Sequence, residues 1–209
     1  PIAELVGAHA VIWTTTPWTI PVNQALAYGP EVEYVLLEVA ETDRAPGQTD
    51  FDGAEWTVTG RYVVAADLGM SFSGRLNTDP AKFADIAVVE KFKGADLAGT
   101  LARHPMHQLG GFYAAPRPLL PGDFVTTDSG TGLVHMAPDH GEDDFDLCKA
   151  NGINPVFAVM DDGRYRGDWQ WLGASDDRRM SVINPKFNAP DGPICTDLRE
   201  AGALLAASA

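Results

Sequence analysis

Two stretches of this 209-residue chain concentrate groups able to do chemistry. The first is Trp13-Thr14-Thr15-Thr16-Pro17-Trp18-Thr19-Ile20-Pro21-Val22-Asn23, in which three consecutive threonines meet a proline. Their hydroxyls and neighbouring backbone N–H groups can hold a ribose, a carbonyl oxygen or a water. Threonine also favours strands through its β-branching alone, so the run does not by itself demand a ligand. The second stretch runs from Asp128 to Asp144 as DSGTGLVHMAPDHGEDD. Gly130 and Gly132 let backbone approach a ligand closely. A strand then delivers His135, a Pro138-Asp139-His140-Gly141 loop follows, and a helix opens with Glu142, Asp143 and Asp144. A carboxylate there can anchor a cation such as an α-ammonium group. Acidic residues are also what a helix N-terminus favours, and for Glu142 and Asp143 that is the preferred reading.

Other chemistries fit less well. His135, His140 and Asp144 run H-x4-H-x3-D, which is not the H-E-x-x-H pattern of a zinc helix, and His104 and His107 lie beside Pro105 in a loop. No metal and no cofactor is expected. No serine sits in a G-x-S-x-G elbow, and phosphate-binding glycine loops are missing. Cys148 falls within a helix on a buried face and reads as core. Asp128-Ser129-Gly130-Thr131 matches the loop of an aspartic protease. That chemistry needs two aspartates sharing a proton, and only one copy occurs, so the reading requires a homodimer.

The elements that must position these groups are mostly strands. There are 21 glycines and 15 prolines, spread so that they punctuate short apolar runs. Strands are expected at Val11–Thr16, Glu33–Val39, Trp56–Ala65, Ile86–Phe92, Phe124–Thr127, Gly132–Met136 and Asn154–Val159. Residues 42–53 read as a polar loop and 105–121 as a Pro-rich connection. Helix is expected for one turn at Pro80–Ala84, at Glu142–Asn151 with Phe145 and Cys148 buried and Gly152 closing it, and at Thr196–Ala207 with Thr196 as N-cap and Leu198, Leu204 and Leu205 as its apolar positions. The expected fold class is mainly β with a few helices and a barrel-like core, with residues 1–209 as a single domain. Composition agrees: 45% of residues are hydrophobic and 21% charged, as in a globular chain. No apolar run reaches the roughly 20 residues that span a bilayer, so no membrane partner is expected. Two cysteines are too few for a disulfide framework, and a cytoplasmic setting is the natural expectation. The net charge of −14 argues against a broad phosphate-binding surface, though not against a pocket for one strand end. Arg103, Arg117, Arg164, Arg166, Arg178, Arg179 and Lys186 read as an even scatter rather than a basic rim.

Together, Val11–Asn23 and Gly130–Asp144 resemble the editing domain, connective peptide 1, of the isoleucyl-tRNA synthetase family of class I synthetases. The resemblance covers nearly the whole chain. Valyl and leucyl relatives typically carry Thr-Thr-Arg-Pro in the first motif; Thr16 before Pro17 favours the isoleucyl branch. The family's ATP signatures, His-Ile-Gly-His and Lys-Met-Ser-Lys-Ser, are absent, so no amino-acid activation is expected, and the chain reads as an excised insertion domain. The resemblance implies hydrolysis of valine from isoleucine tRNA. A hydrophobic pocket gains only about 1–3 kcal/mol from one methylene, a limit for which the isoleucine–valine pair is the standard example. It implies that Asp144 binds the substrate's α-ammonium group and that His135 blocks the longer isoleucine side chain. It implies that Thr14, Thr15 and Thr16 hold the terminal adenosine and the attacking water, with a ribose hydroxyl helping to orient that water. Trp18, Asn23, Gly132, Val134, Met136 and Ala137 would line the substrate. Family differences at Val22, Met136, Asp139 and Glu142 are not read as loss of function. The implied partners are the 3′ end of the isoleucine tRNA and the rest of the synthetase in cis, with the chain a monomer. The alternatives are a module that binds the aminoacyl end without turnover, and the dimeric aspartic-type protease.

Overall fold

Alternating and β-branched runs make the framework. The computed structural model describes residues 2–43, 52–76, 81–170 and 180–208. Its strands are β1 (His9–Ala10), β2 (Ala25–Tyr28), β3 (Glu33–Asp43), β4 (Thr57–Ala65), β5 (Lys82–Lys93), β6 (Leu101–Ala102), β7 (Arg117–Pro121) and β8 (Leu133–Met136). The helices are α1 (Gly69–Leu76), α2 (Glu142–Ala150) and α3 (Pro193–Glu200), joined by short 3-10 turns. One sheet has the order β1-β4-β3-β5 and the other β6-β7-β2-β8. The first is mixed, with β1 parallel to β4 and the rest antiparallel. Neither sheet closes on itself among the described residues, so the mainly-β class stands, while the expected barrel-like core gives way to two open four-stranded sheets.

The chain divides into two compact units. The first comprises 1–13, 27–98 and 121–134. Its centre is β3, whose Tyr34, Val35, Leu36, Leu37 and Val39 are all buried. A strand flanked on both edges and covered on both faces has little polar side to show, hence the apolar run over residues 34–39, interrupted only at Glu38, which pairs with Arg61. Val35, Leu37, Val64 and Phe72 form one cluster, to which α1 contributes Phe72. Tyr34 does a second job: its hydroxyl accepts the Gly29 N–H at 3.0 Å and donates to the Gly132 carbonyl at 2.6 Å. Burial pushes its phenol up to about 12. Gly132 has φ of +77°, and a side chain there would meet Ala65 at 2.4 Å. The protease-like loop is also structural: Thr131 donates its hydroxyl to the Val11 carbonyl, and its own carbonyl accepts the Ala65 N–H at 2.8 Å.

The second unit comprises 14–26, 99–120 and 135–209. Helix α2 ends as expected: Gly152, at φ +74°, donates to Lys149, and Ile153 donates to Cys148. Cys148 is buried and Phe145 half-buried; burial pushes the Cys148 thiol up to about 11, consistent with a core residue.

Several expected elements are corrected. Val11–Thr16 is not a strand beyond β1, because the Thr14 hydroxyl takes the Thr16 N–H and Pro17 starts a 3-10 helix. Phe124–Thr127 is a turn closed by Val125 N–H on the Gly122 carbonyl. Asn154–Val159 runs unpaired except for a bridge from Val159 to Tyr165, and the Gln24 amide ties it down at Asn154 and Val156. Helix α3 starts at Pro193 rather than Thr196, and ends at Glu200 because Gly202, at φ +67°, closes it. Residues 82–84 belong to β5 rather than to a helical turn; the rest of that turn, apart from Ala81, and most of the loop at 42–53 lie outside the described residues. Residues 117–121 of the Pro-rich stretch form β7. Arg117 is not a surface charge but 3% exposed, and Arg178 and Arg179 lie outside the described residues.

Removing the Tyr34 hydroxyl leaves a buried N–H and a buried carbonyl each short of a partner. Tyr34→Phe is expected to lower unfolding stability by roughly 1–3 kcal/mol, measured by urea titration.

Candidate functional site

The two motifs lie more than a hundred residues apart in sequence and meet in the second unit. The first is built on the 3-10 helix Pro17–Val22, with proline at its first position and again at Pro21. Pro17 suits a helix start, but Pro21 inside the segment lacks the donor an α-helix would need there and its ring crowds the preceding turn. The Thr16 carbonyl accepts both the Thr19 N–H at 2.9 Å and the Thr19 hydroxyl at 2.8 Å. Thr14 Oγ1 accepts the Thr16 N–H at 3.0 Å and lies 3.3 Å from Thr16 Oγ1. Thr14 is half-buried, and Thr15 and Thr16 are exposed, so the two Thr14 and Thr16 hydroxyls form an accessible polar pair.

Thr19 connects this segment to the second motif. Its Oγ1 lies 3.1 Å from His135 Nε2. The Thr19 proton goes to the Thr16 carbonyl, so Nε2 must carry the hydrogen and donate to Thr19. His135 Nδ1 is then a buried lone pair with no partner among the described residues. Burial pushes His135 down to about 4, so the ring is neutral at pH 7. Beside it the Gln24 N–H donates to the Met136 carbonyl at 2.9 Å.

Helix α2 supplies the acids. Gly141 precedes it, and Glu142, Asp143 and Asp144 fill its first turn. Asp144 reaches back to accept the Ala137 N–H on Oδ2 at 2.7 Å. Burial raises its pKa; the Ala137 N–H opposes that shift, and Asp143 adds to it. One carboxylate oxygen is thus anchored by backbone. Ahead of the helix, the His140 ring stands edge-on to Trp18, centroids 4.6 Å apart and planes at 76°.

The structure brings Thr14, Thr16, Trp18, His135, Met136, Ala137 and Asp144 into one unit, with Thr15 between the two bonded threonines. Asn23 is there too, but buried; its Nδ2 donates to the Ala25 carbonyl at 2.7 Å. Met136 and Ala137 are buried, and Ala137 serves the site through its N–H. Gly132 and Val134 belong to the first unit, where Gly132 is a tight-packing position and Val134 is half-buried.

Sequence reasoning left unassigned the residues that hold the first motif. Tyr165 donates its hydroxyl to the Trp18 carbonyl. His104 bonds the Ile20 carbonyl through Nε2 at 2.8 Å and accepts the Met106 N–H on Nδ1 at 3.0 Å. Arg117 donates from Nε to the Asn23 carbonyl at 2.7 Å, and from its two terminal nitrogens to Ala115 and Phe112. Both nitrogens of His104 are therefore taken, and burial pushes it down to about 3. No pattern in sequence spacing marks these contacts.

No family model matches the chain. Among solved structures, the cytosolic leucyl-tRNA synthetase editing domain of P. knowlesi superposes with a TM-score of 0.50 at 14% identity, covering 73% of this chain and 60% of that one. The fold is thus of the class of aminoacyl-tRNA synthetase editing domains. In sequence, the chain is 54% identical over 207 residues to the isoleucine–tRNA ligase of Zymomonas mobilis and 47% identical over 203 residues to that of Gluconobacter oxydans. These alignments cover 99% and 96% of this chain but 19% and 18% of the two relatives. The chain is thus similar, nearly end to end, to a segment of isoleucine–tRNA ligases and spans about a fifth of these relatives' length.

The buried neutral histidine sets a pH dependence. Unfolded, His135 regains a pKa near 6.5. Between that value and about 4 the unfolded chain binds the extra proton, so this contribution is whole above pH 6.5 and is lost as pH falls. Asp139 and Asp144, with raised folded values, act in the opposite sense. The expectation is therefore differential. Wild type loses more stability between pH 7 and pH 5 than His135→Gln does, measured by denaturant titration at each pH.

Proposed function

We propose that residues 1–209 act as one editing domain of an isoleucine–tRNA ligase, hydrolysing the ester of Val-tRNA(Ile) and sparing Ile-tRNA(Ile). The observation that carries this reading is the Thr19–His135 bond at 3.1 Å, which joins the threonine motif to the histidine–aspartate motif. In this reading the Thr14 and Thr16 hydroxyls, with Thr15, receive the terminal adenosine and the attacking water. Asp144, with one oxygen anchored by Ala137, presents the other to the α-ammonium group, a charge-assisted contact. Trp18 walls the pocket beside His140. Asn23, Met136 and Ala137 shape it through backbone and packing.

His135 selects by size rather than by proton transfer. Its Nε2–H is held by Thr19, and its neutral ring is kept from protonation by burial. A rigid ring at the end of a pocket excludes one methylene as a steric wall. Catalysis then comes from positioning and from polar groups aimed at developing charge. The partners are the 3′ end of isoleucine tRNA and the rest of the ligase in cis, in the cytoplasm, with this segment monomeric. Among the described residues no helix is long and apolar enough to cross a membrane.

Two substitutions test the assignment. Asp144→Asn keeps the Ala137 contact while removing the charge, and deacylation of Val-tRNA is expected to fall roughly 100-fold with the fold intact by circular dichroism. His135→Ala is expected to open the pocket, so that Ile-tRNA becomes a substrate while Val-tRNA hydrolysis persists. Side-by-side deacylation of the two tRNAs measures both.

A further inference from the structure

The mechanism above leaves the water without a base, because the threonines are not basic and His135 is held by Thr19. A second histidine in the same cluster has no assigned work. His140 Nε2 lies 3.2 Å from Asp139 Oδ2. The Asp139 side chain is 3% exposed and that of His140 is 18% exposed. No hydrogen bond to His140 Nδ1 is present among the described residues. A buried carboxylate behind one ring nitrogen fixes the tautomer, with the hydrogen on Nε2, and leaves Nδ1 as the acceptor. The same pairing positions the imidazole in hydrolases that use a histidine base. Trp18 fixes the ring from its side.

We propose that His140, oriented by Asp139, is the general base that activates the attacking water. The inference rests on the editing reading. Water gives a proton to His140 Nδ1 as its oxygen bonds to the ester carbonyl carbon, and the carbonyl pair moves onto oxygen. When that pair re-forms the double bond, the bond to the ribose oxygen breaks, and the imidazolium returns its proton to that oxygen. One water is consumed, an amino acid and a ribose hydroxyl are released, and His140 ends neutral. Asp139 stays ionised throughout and stabilises the transient imidazolium.

The surrounding charges suit this task. Asp139 and Asp144 both favour protonation of His140, while burial opposes it. Tyr165 also feels the Asp139 carboxylate, and burial keeps its phenol protonated. Burial thus holds the His140 ring in its neutral form, while the two carboxylates stabilise the imidazolium once it forms.

The test is the pH–rate profile of Val-tRNA deacylation by the 209-residue chain, with folding checked by circular dichroism. Wild type is expected to show an acid limb. His140→Gln is expected to lower kcat roughly 100-fold, leave KM unchanged and lose that limb. Asp139→Asn is expected to lower kcat while keeping it. Nitrogen NMR of wild type reads the tautomer without turnover, with the hydrogen expected on Nε2, and serves where a variant does not fold. An active wild type whose rate and acid limb survive His140→Gln overturns this inference alone, as does a hydrogen on Nδ1. A folded wild type that hydrolyses neither Val-tRNA nor Ile-tRNA overturns the editing reading and this inference with it.

Discussion

A buried, irregular stretch of backbone makes the strictest demand on this molecule. Residues 17–22 run as a 3-10 helix with prolines at 17 and 21, and Thr19 to Asn23 are buried. Buried carbonyls must find donors, at a cost of several kcal/mol when they do not. Here the Thr16, Trp18, Ile20 and Asn23 carbonyls take hydrogen bonds from the side chains of Thr19, Tyr165, His104 and Arg117. Three of these donors come from outside the motif. Arg117 illustrates the consequence: its guanidinium is enclosed by backbone carbonyls and the Phe112 ring, because its planar fork fits them. Helix α3 packs on the same segment.

Burial then sets the protonation states. His104 and His135 are held neutral, each with its tautomer fixed by what its nitrogens touch. Asp139 and Asp144 are drawn upward by desolvation and partly restored by His140 and by the Ala137 N–H. The result is a cluster with neutral imidazoles beside carboxylates at the start of α2, where the helix dipole also favours negative charge. Among the described residues no group of three or more candidate metal ligands converges.

The first unit handles its own constraint in the same manner. The loop leading into β8 has glycines at 130 and 132 with positive φ, because the chain turns there against Trp13 and Ala65. Tyr34 satisfies the Gly132 carbonyl of the turn, and Thr131 ties the turn to the Val11 carbonyl. The aspartic-protease likeness at Asp128–Thr131 is thus a likeness of turn chemistry: small residues and a hydroxyl serve any tight buried loop.

Local signals decided some features of this protein and could not decide others. β3, β4 and β8 followed from β-branched and apolar runs, and α2 from its acidic first turn and Gly152, since these depend on interactions within a few residues. The two motifs were legible as candidates because unusual densities of hydroxyls, glycines and acids stand out along the chain. The pairing of Thr19 with His135 and the Tyr165, His104 and Arg117 clasps were decided only by tertiary structure. Side chains there answer to carbonyls and rings dozens of residues away, and no spacing rule links them. The open sheets in place of a closed barrel belong to the same category, because whether a sheet's edge strands meet is a long-range matter. Even Val11–Thr16 shows the division: threonine's strand preference is a local property, but a side-chain hydroxyl capturing a backbone N–H before Pro17 outweighs it.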